Sequence, residues 1–136
     1  MARGNDSRDV DLAFGQKRLR AAHAYLEQAR LTARDAGDEF ERATAVSSAV
    51  LAAIAAADSI CALRMRTAWK GDHAQAHTLL RQVAGGREAA TALQRVVGHK
   101  TAVQYLAQAV TAARMETALR QAQVVMDFAD QLYREG

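Results

Sequence analysis

The sequence predicts an all-α protein, an antiparallel up-and-down helical bundle of two long N-terminal helices, two short helices and one long C-terminal helix. Three observations carry this expectation. Thirty-two of the 136 residues are alanine and only seven are aromatic, a balance that favours closely approaching helices over pleated sheets. Apolar residues recur at spacings of three and four, the period of a helix face. There is no proline, so glycine supplies the punctuation: Gly37, Gly71, Gly85-Gly86 and Gly98 fall where the helical period breaks.

Each element follows in order. Leu12, Gly15, Leu19, Ala22, Leu26, Ala29, Ala33 and Ala36 form a narrow seam on the first helix, and its small residues permit a close partner. After Gly37, Asp38 is a natural cap for a second helix through Phe40, Val50, Ile54 and Cys61, apolar on nearly every side and therefore central. At about 30 residues and 1.5 Å per residue, each would be roughly 45 Å long, an antiparallel hairpin. Asp72 is placed to cap a third helix, His73 to Ala84, with Ala76, Leu79, Leu80 and Val83 inward, ended by Gly85-Gly86. A short helix from Arg87 to Val97 closes at Gly98. The last carries Met115, Ala118, Ala122, Val125, Ala129 and Leu132 behind a Thr111 cap, and residues 100–110 are either a loop or an extension of it.

One domain of residues 9–134 follows a flexible tail, 1–8. Net charge is +3, too small to imply a nucleic-acid partner by itself. Its distribution says more: between Ser59 and Arg120 nine basic residues face three acidic ones, enough for a basic surface. Cys61 is the only cysteine, so a disulfide framework within the chain is excluded and a cytoplasmic location is expected. The uncharged run Ala43 to Ala57 is too short and too weakly apolar for a membrane span, and no membrane association is expected.

Most catalytic motifs are missing. No phosphate-cradling glycine loop, Gly-x-Ser-x-Gly elbow or Glu-x-x-His pair occurs. His73 and His77 have the i, i+4 spacing of metal ligands but lack a glutamate between them, and a third ligand would have to come from Asp72, His99 or His23. A local hydrogen-bonding role is the commoner explanation, so no metal and no cofactor are expected. Asp58 is the only charged residue between Arg42 and Arg64; a carboxylate on so apolar a helix must be paired, hydrogen-bonded or neutralised. Its expected partner comes from the His73 turn or from Arg95 to Lys100.

The stretch Ala52 to Arg64 around Asp58, then Gly71-Asp-His73-Ala-Gln-Ala, then Leu93 through Lys100-Thr-Ala-Val-Gln104-Tyr105 and the alanine-rich last helix resembles the HEPN superfamily, in particular a compact actinobacterial branch of these bacterial proteins, over residues 10 to 134. The resemblance implies an antiparallel helical bundle that commonly forms homodimers. It also implies a metal-independent endoribonuclease, often a toxin paired with a nucleotidyltransferase-like antitoxin, with an Arg followed four to six residues later by a His. Here Gln104 stands where that His would precede Tyr105, with Lys100 or Arg95 as the upstream base. Gln cannot shuttle a proton, whereas RNA cleavage without metal needs acid–base groups near neutral pKa.

Three functions follow. The Gln104 departure favours a non-catalytic HEPN-like protein that binds RNA or a protein partner in a defence, toxin-antitoxin or regulatory setting. Its binding cleft would contain Asp58, His73, His99, Lys100, Gln104 and Tyr105, with Arg64, Arg66, Lys70 and Arg95 as further binding residues. An active endoribonuclease would use His99 as general base and Lys100 for phosphate charge. The third is a helical adaptor with no nucleic-acid role, recruiting other proteins through its small-residue faces.

Overall fold

A computed structural model describes residues 6–105 and 108–136 of the chain, apart from the side chains at 104 and 105. It is an all-α bundle: α1 (Leu12–Arg34), α2 (Glu39–Met65), the single-turn α3 (His77–Leu80), α4 (Arg87–Tyr105) and α5 (Ala112–Glu135). Acceptor side chains set the starts of three of them. Asp11 accepts from the Phe14 amide at 2.8 Å, Asp38 from Glu41 at 2.8 Å and Thr111 from Arg114 at 3.1 Å, each satisfying an amide that the helix itself leaves open.

Helix α2 is the core. Val46, Ala49, Val50, Ala53, Ala56 and Ile60 are buried, and the alanines let its neighbours approach closely. Against it lies the α1 seam of Gly15, Leu19, Ala22, Leu26 and Ala29. Gly15 is required there, because a Cβ would sit 2.9 Å from that of Ala62. The other side of α2 takes Met115, Ala118, Ala122, Val125 and Ala129 of α5 and Leu93, Val96 and Val97 of α4. By length and composition α2 could cross a membrane, but 72% of its apolar stretch is buried inside the bundle, the signature of a core helix.

Three expectations are corrected. Gly98 does not end a helix: α4 continues through it to Tyr105, since a lone glycine costs only about 1 kcal/mol in a helix interior and flanking Val96 and Val97 are buried. The span His73 to Ala84 is not one helix but a 3-10 turn (His73–Gln75), then α3, then turns. Finally, Ser7 and Arg8, assigned to a tail by sequence, belong to a strand β1 (Ser7–Asp9) that pairs antiparallel with β2 (Thr67–Trp69), Arg8 opposite Ala68. Flanking bonds from Val10 N to Arg66 O and from Lys70 N to Asp6 O, both 2.9 Å, extend that ladder. The small sheet fastens the entry to α1 onto the exit from α2.

Candidate functional site

The expected site residues whose side chains are described fall into two groups with no hydrogen bond or ion pair between them among the described residues. Asp58 belongs to the first. Its partner is Arg18 of α1, whose Nε donates to Oδ2 at 3.1 Å, and not a residue of the 95–100 segment. The antiparallel register explains this: Gly15 faces Ala62, so about one turn forward along α1 and one turn back along α2 Arg18 meets Asp58.

Burial pushes the Asp58 carboxyl above its ordinary range, opposed by the charge and hydrogen bond of Arg18 and more weakly by His73 and Arg8. His73 is exposed nearby, and Asp58, His73, Trp69 and Cys61 enclose a void of about 10 Å³. That is room for one water at most, so this is a joint rather than a substrate site. Burial, with Asp58 adding, pushes the Cys61 thiol up to about 12, which leaves it unreactive. Trp69 is half-buried and its Nε1 donates to Asp72 O at 2.9 Å, anchoring the loop.

Three further expected binding residues surround this end of the bundle, and two of them are already engaged. Arg64 reaches Glu135 at 3.4 Å. Arg66 sits in the left-handed region at φ 54° and folds back, its Nη1 donating to Ala62 O and Leu63 O at 3.0 and 2.6 Å. It therefore caps α2 and complements the negative end of that helix. Lys70 is exposed. The His73–His77 spacing does not make a metal-binding helix face, because the 3-10 turn ends between them and His77 Nδ1 accepts from Arg81 Nε at 3.3 Å. Among the described residues no three His, Cys, Asp or Glu side chains converge as metal ligands.

The second group lies on α4, α5 and the loop before α4. Here His99 Nε2–H donates to Gln121 Oε1 at 2.9 Å while Nδ1 accepts from Arg114 Nη1 at 3.3 Å, an assignment of the neutral tautomer that satisfies both partners. Burial lowers the His99 pKa, against the Gln121 hydrogen bond, and Arg114 lowers it further. A ring neutral at pH 7, with its one lone pair directed at a guanidinium, is poorly suited to take a proton from a ribose hydroxyl. Arg114 also donates to Gln108 Oε1 at 3.1 Å. Lys100 is partly buried beside His99 in the chain, and the expected Gln104 and Tyr105 side chains lie outside the described residues.

Gln121 also connects this cluster to a groove of about 930 Å³ bordered by Arg81, Arg87 and Arg95. Sequence alone points to Arg95, whereas Arg81, Arg87, Arg114 and Gln121 stand out only in the folded chain. Among the described residues no carboxylate lies within ion-pairing distance of any of these four arginines. Arg87 and Arg114 stand in the first turns of α4 and α5, the helix ends where a cation is electrostatically unfavourable. Such placement raises the positive potential instead of stabilising the helices. Comparison with protein-family models, with curated proteins and with solved structures yields no significant match.

Proposed function

We propose that this protein is a HEPN-like, non-catalytic RNA-binding bundle that acts in the cytoplasm, in a defence, toxin-antitoxin or regulatory setting. The observation that carries the reading is the continuous track from the Arg81, Arg87 and Arg95 groove through Gln121 and His99 to Arg114, whose arginines have no carboxylate partner among the described residues. Guanidinium groups left uncompensated in this way suit phosphate oxygens, which they bind in a forked, charge-assisted geometry.

The endoribonuclease alternative loses support because His99 is occupied at both nitrogens and Gln104 cannot replace a proton shuttle. Homodimer formation and a nucleotidyltransferase-like antitoxin rest on the sequence resemblance alone. The discriminating experiment is incubation of labelled single-stranded RNA with the protein in EDTA, followed by native and denaturing gels. A retarded but intact strand is the expected result. Cleavage abolished by His99→Ala would establish the enzyme instead, and an unretarded, intact strand would leave the helical adaptor.

A further inference from the structure

The groove beside α4 has features that a generally basic face does not need. Arg81 is held by neutral groups: Nε donates to His77 Nδ1 at 3.3 Å, and Nη2 to Thr91 Oγ1 and Gln94 Oε1, both at 3.4 Å. The His77 pKa is lowered, by burial first and then by Arg81 itself, so this acceptor stays uncharged near neutrality. The guanidinium is thus oriented without being neutralised, as preorganised anion recognition requires. Arg87 and Arg95 border the same groove, and the one carboxylate there, Glu88, pairs with none of them within ion-pairing distance among the described residues.

The floor and walls add shape. Gly85 has φ +79°, and a Cβ on Gly86 would lie 2.6 Å from Leu80 O, so the loop can fold this tightly only with glycines. Gly86 immediately precedes α4 and offers no capping side chain, and the first residues of that helix, Arg87 and Glu88, border the groove together with Gly86. Ala84, Ala92 and Val124 contribute apolar wall. A volume of about 930 Å³ lies within the range of small-molecule pockets, and charged rim with apolar wall matches a ligand that has a phosphate at one end and a ring at the other.

We infer that this groove is a pocket for an organic phosphate monoester, free or as the phosphorylated 5′ end of an RNA strand, with Arg81, Arg87 and Arg95 as its ligands. The inference rests on the reading of this face as anion-binding, and it names a terminal phosphate where that reading needs only phosphodiesters. The probes are phenyl phosphate, with phenol and inorganic phosphate as controls, and one oligoribonucleotide carrying either a 5′-phosphate or a 5′-hydroxyl. Calorimetry or fluorescence on the full chain is expected to show phenyl phosphate binding at least tenfold tighter than phenol, or the phosphorylated strand at least fivefold tighter than its hydroxyl counterpart.

The first outcome identifies a free ligand and the second a strand end. Either preference is expected to fall at least fivefold in Arg87→Ala, whose side chain makes no hydrogen bond among the described residues, so the fold should survive. Arg81→Lys provides an independent check, since it keeps the charge but loses the fork. No preference for phosphate in either pair, or a preference unchanged in both variants, would overturn the pocket. Salt-sensitive binding of the 5′-hydroxyl strand would still stand in that case, so failure of the pocket is distinguishable from failure of RNA binding.

Discussion

Arg18 Nε donates to Asp58 Oδ2 across 3.1 Å and forty residues of sequence, and this bond joins α1 to the central helix beside the close contact of Gly15 with Ala62. The carboxylate is largely buried, and removing its partner leaves it unsatisfied. Arg18→Ala is expected to destabilise the protein by about 1–3 kcal/mol, measured by urea denaturation at neutral pH. Asp58→Asn, which removes the buried charge as well as the pair, should cost less, within about 1 kcal/mol of the wild type.

The same pair predicts a pH dependence. Since burial raises the folded-state pKa of Asp58, the native state binds this proton more readily than the unfolded chain does. Its contribution is fully present below the unfolded value of about 4 and is lost as pH rises through the folded value. The stability of the wild type relative to Asp58→Asn should therefore fall as pH rises from about 4 toward neutrality. A difference that grows with pH would mean that Arg18 outweighs burial.

His99 has the opposite sign. Its lowered pKa means that the folded state prefers the neutral ring, so its contribution is full above about 6.5 and is lost as pH falls through the folded value. Nitrogen-detected NMR should find the Nε2–H tautomer at pH 7 and a midpoint below that of a free imidazole. A midpoint above it would restore His99 as a candidate proton carrier.

Two glycine substitutions in helix interiors should move stability in opposite directions. At Gly98 nothing lies within 4 Å of an added Cβ, so Gly98→Ala should stabilise by about 0.5–1 kcal/mol through helix propensity. At Gly15 the added methyl would meet Ala62 Cβ at 2.9 Å, and overpacking is expected to cost about 1–3 kcal/mol. Thermal melts of the two variants check both signs.

These contrasts mark what the sequence makes legible. The seam from Gly15 to Ala29 and the all-round apolar α2 identify the hairpin, because burial of whole helix faces imposes a period that many residues share. Gly98 misleads because one glycine weakens a helix less than buried Val96 and Val97 sustain it. The strands β1 and β2 are only three residues each, too short to show a period. Asp58 stands out from sequence by its isolation, but its partner depends on inter-helix register. A signal was present even so, since Arg18 lies three residues after Gly15 and four before Ala22, at the margin of the buried seam.

The track through Arg81, Gln121 and Arg114 was not legible for a related reason. Arg81 lies more than thirty residues before Arg114 and Gln121, and ordinary surface arginines look the same until folding reveals that their neighbours are Thr91, Gln94, Gln108 and His99 instead of carboxylates. Charge counting located the basic segment. Only the packing of α4 against α5 separates uncompensated arginines from those such as Arg64 that have acidic partners.

The most direct test of RNA binding is a salt titration of labelled single-stranded RNA, comparing the wild type with Arg114→Ala and with Lys100→Ala. Each lost phosphate contact reduces the slope of log affinity against log salt by about 0.7 for a single strand. Salt-sensitive binding by the wild type is expected, with a slope shallower by about that amount in Arg114→Ala and the melting temperature retained. Wild-type affinity indifferent to salt, or a slope unchanged in both variants, would overturn RNA binding by this face.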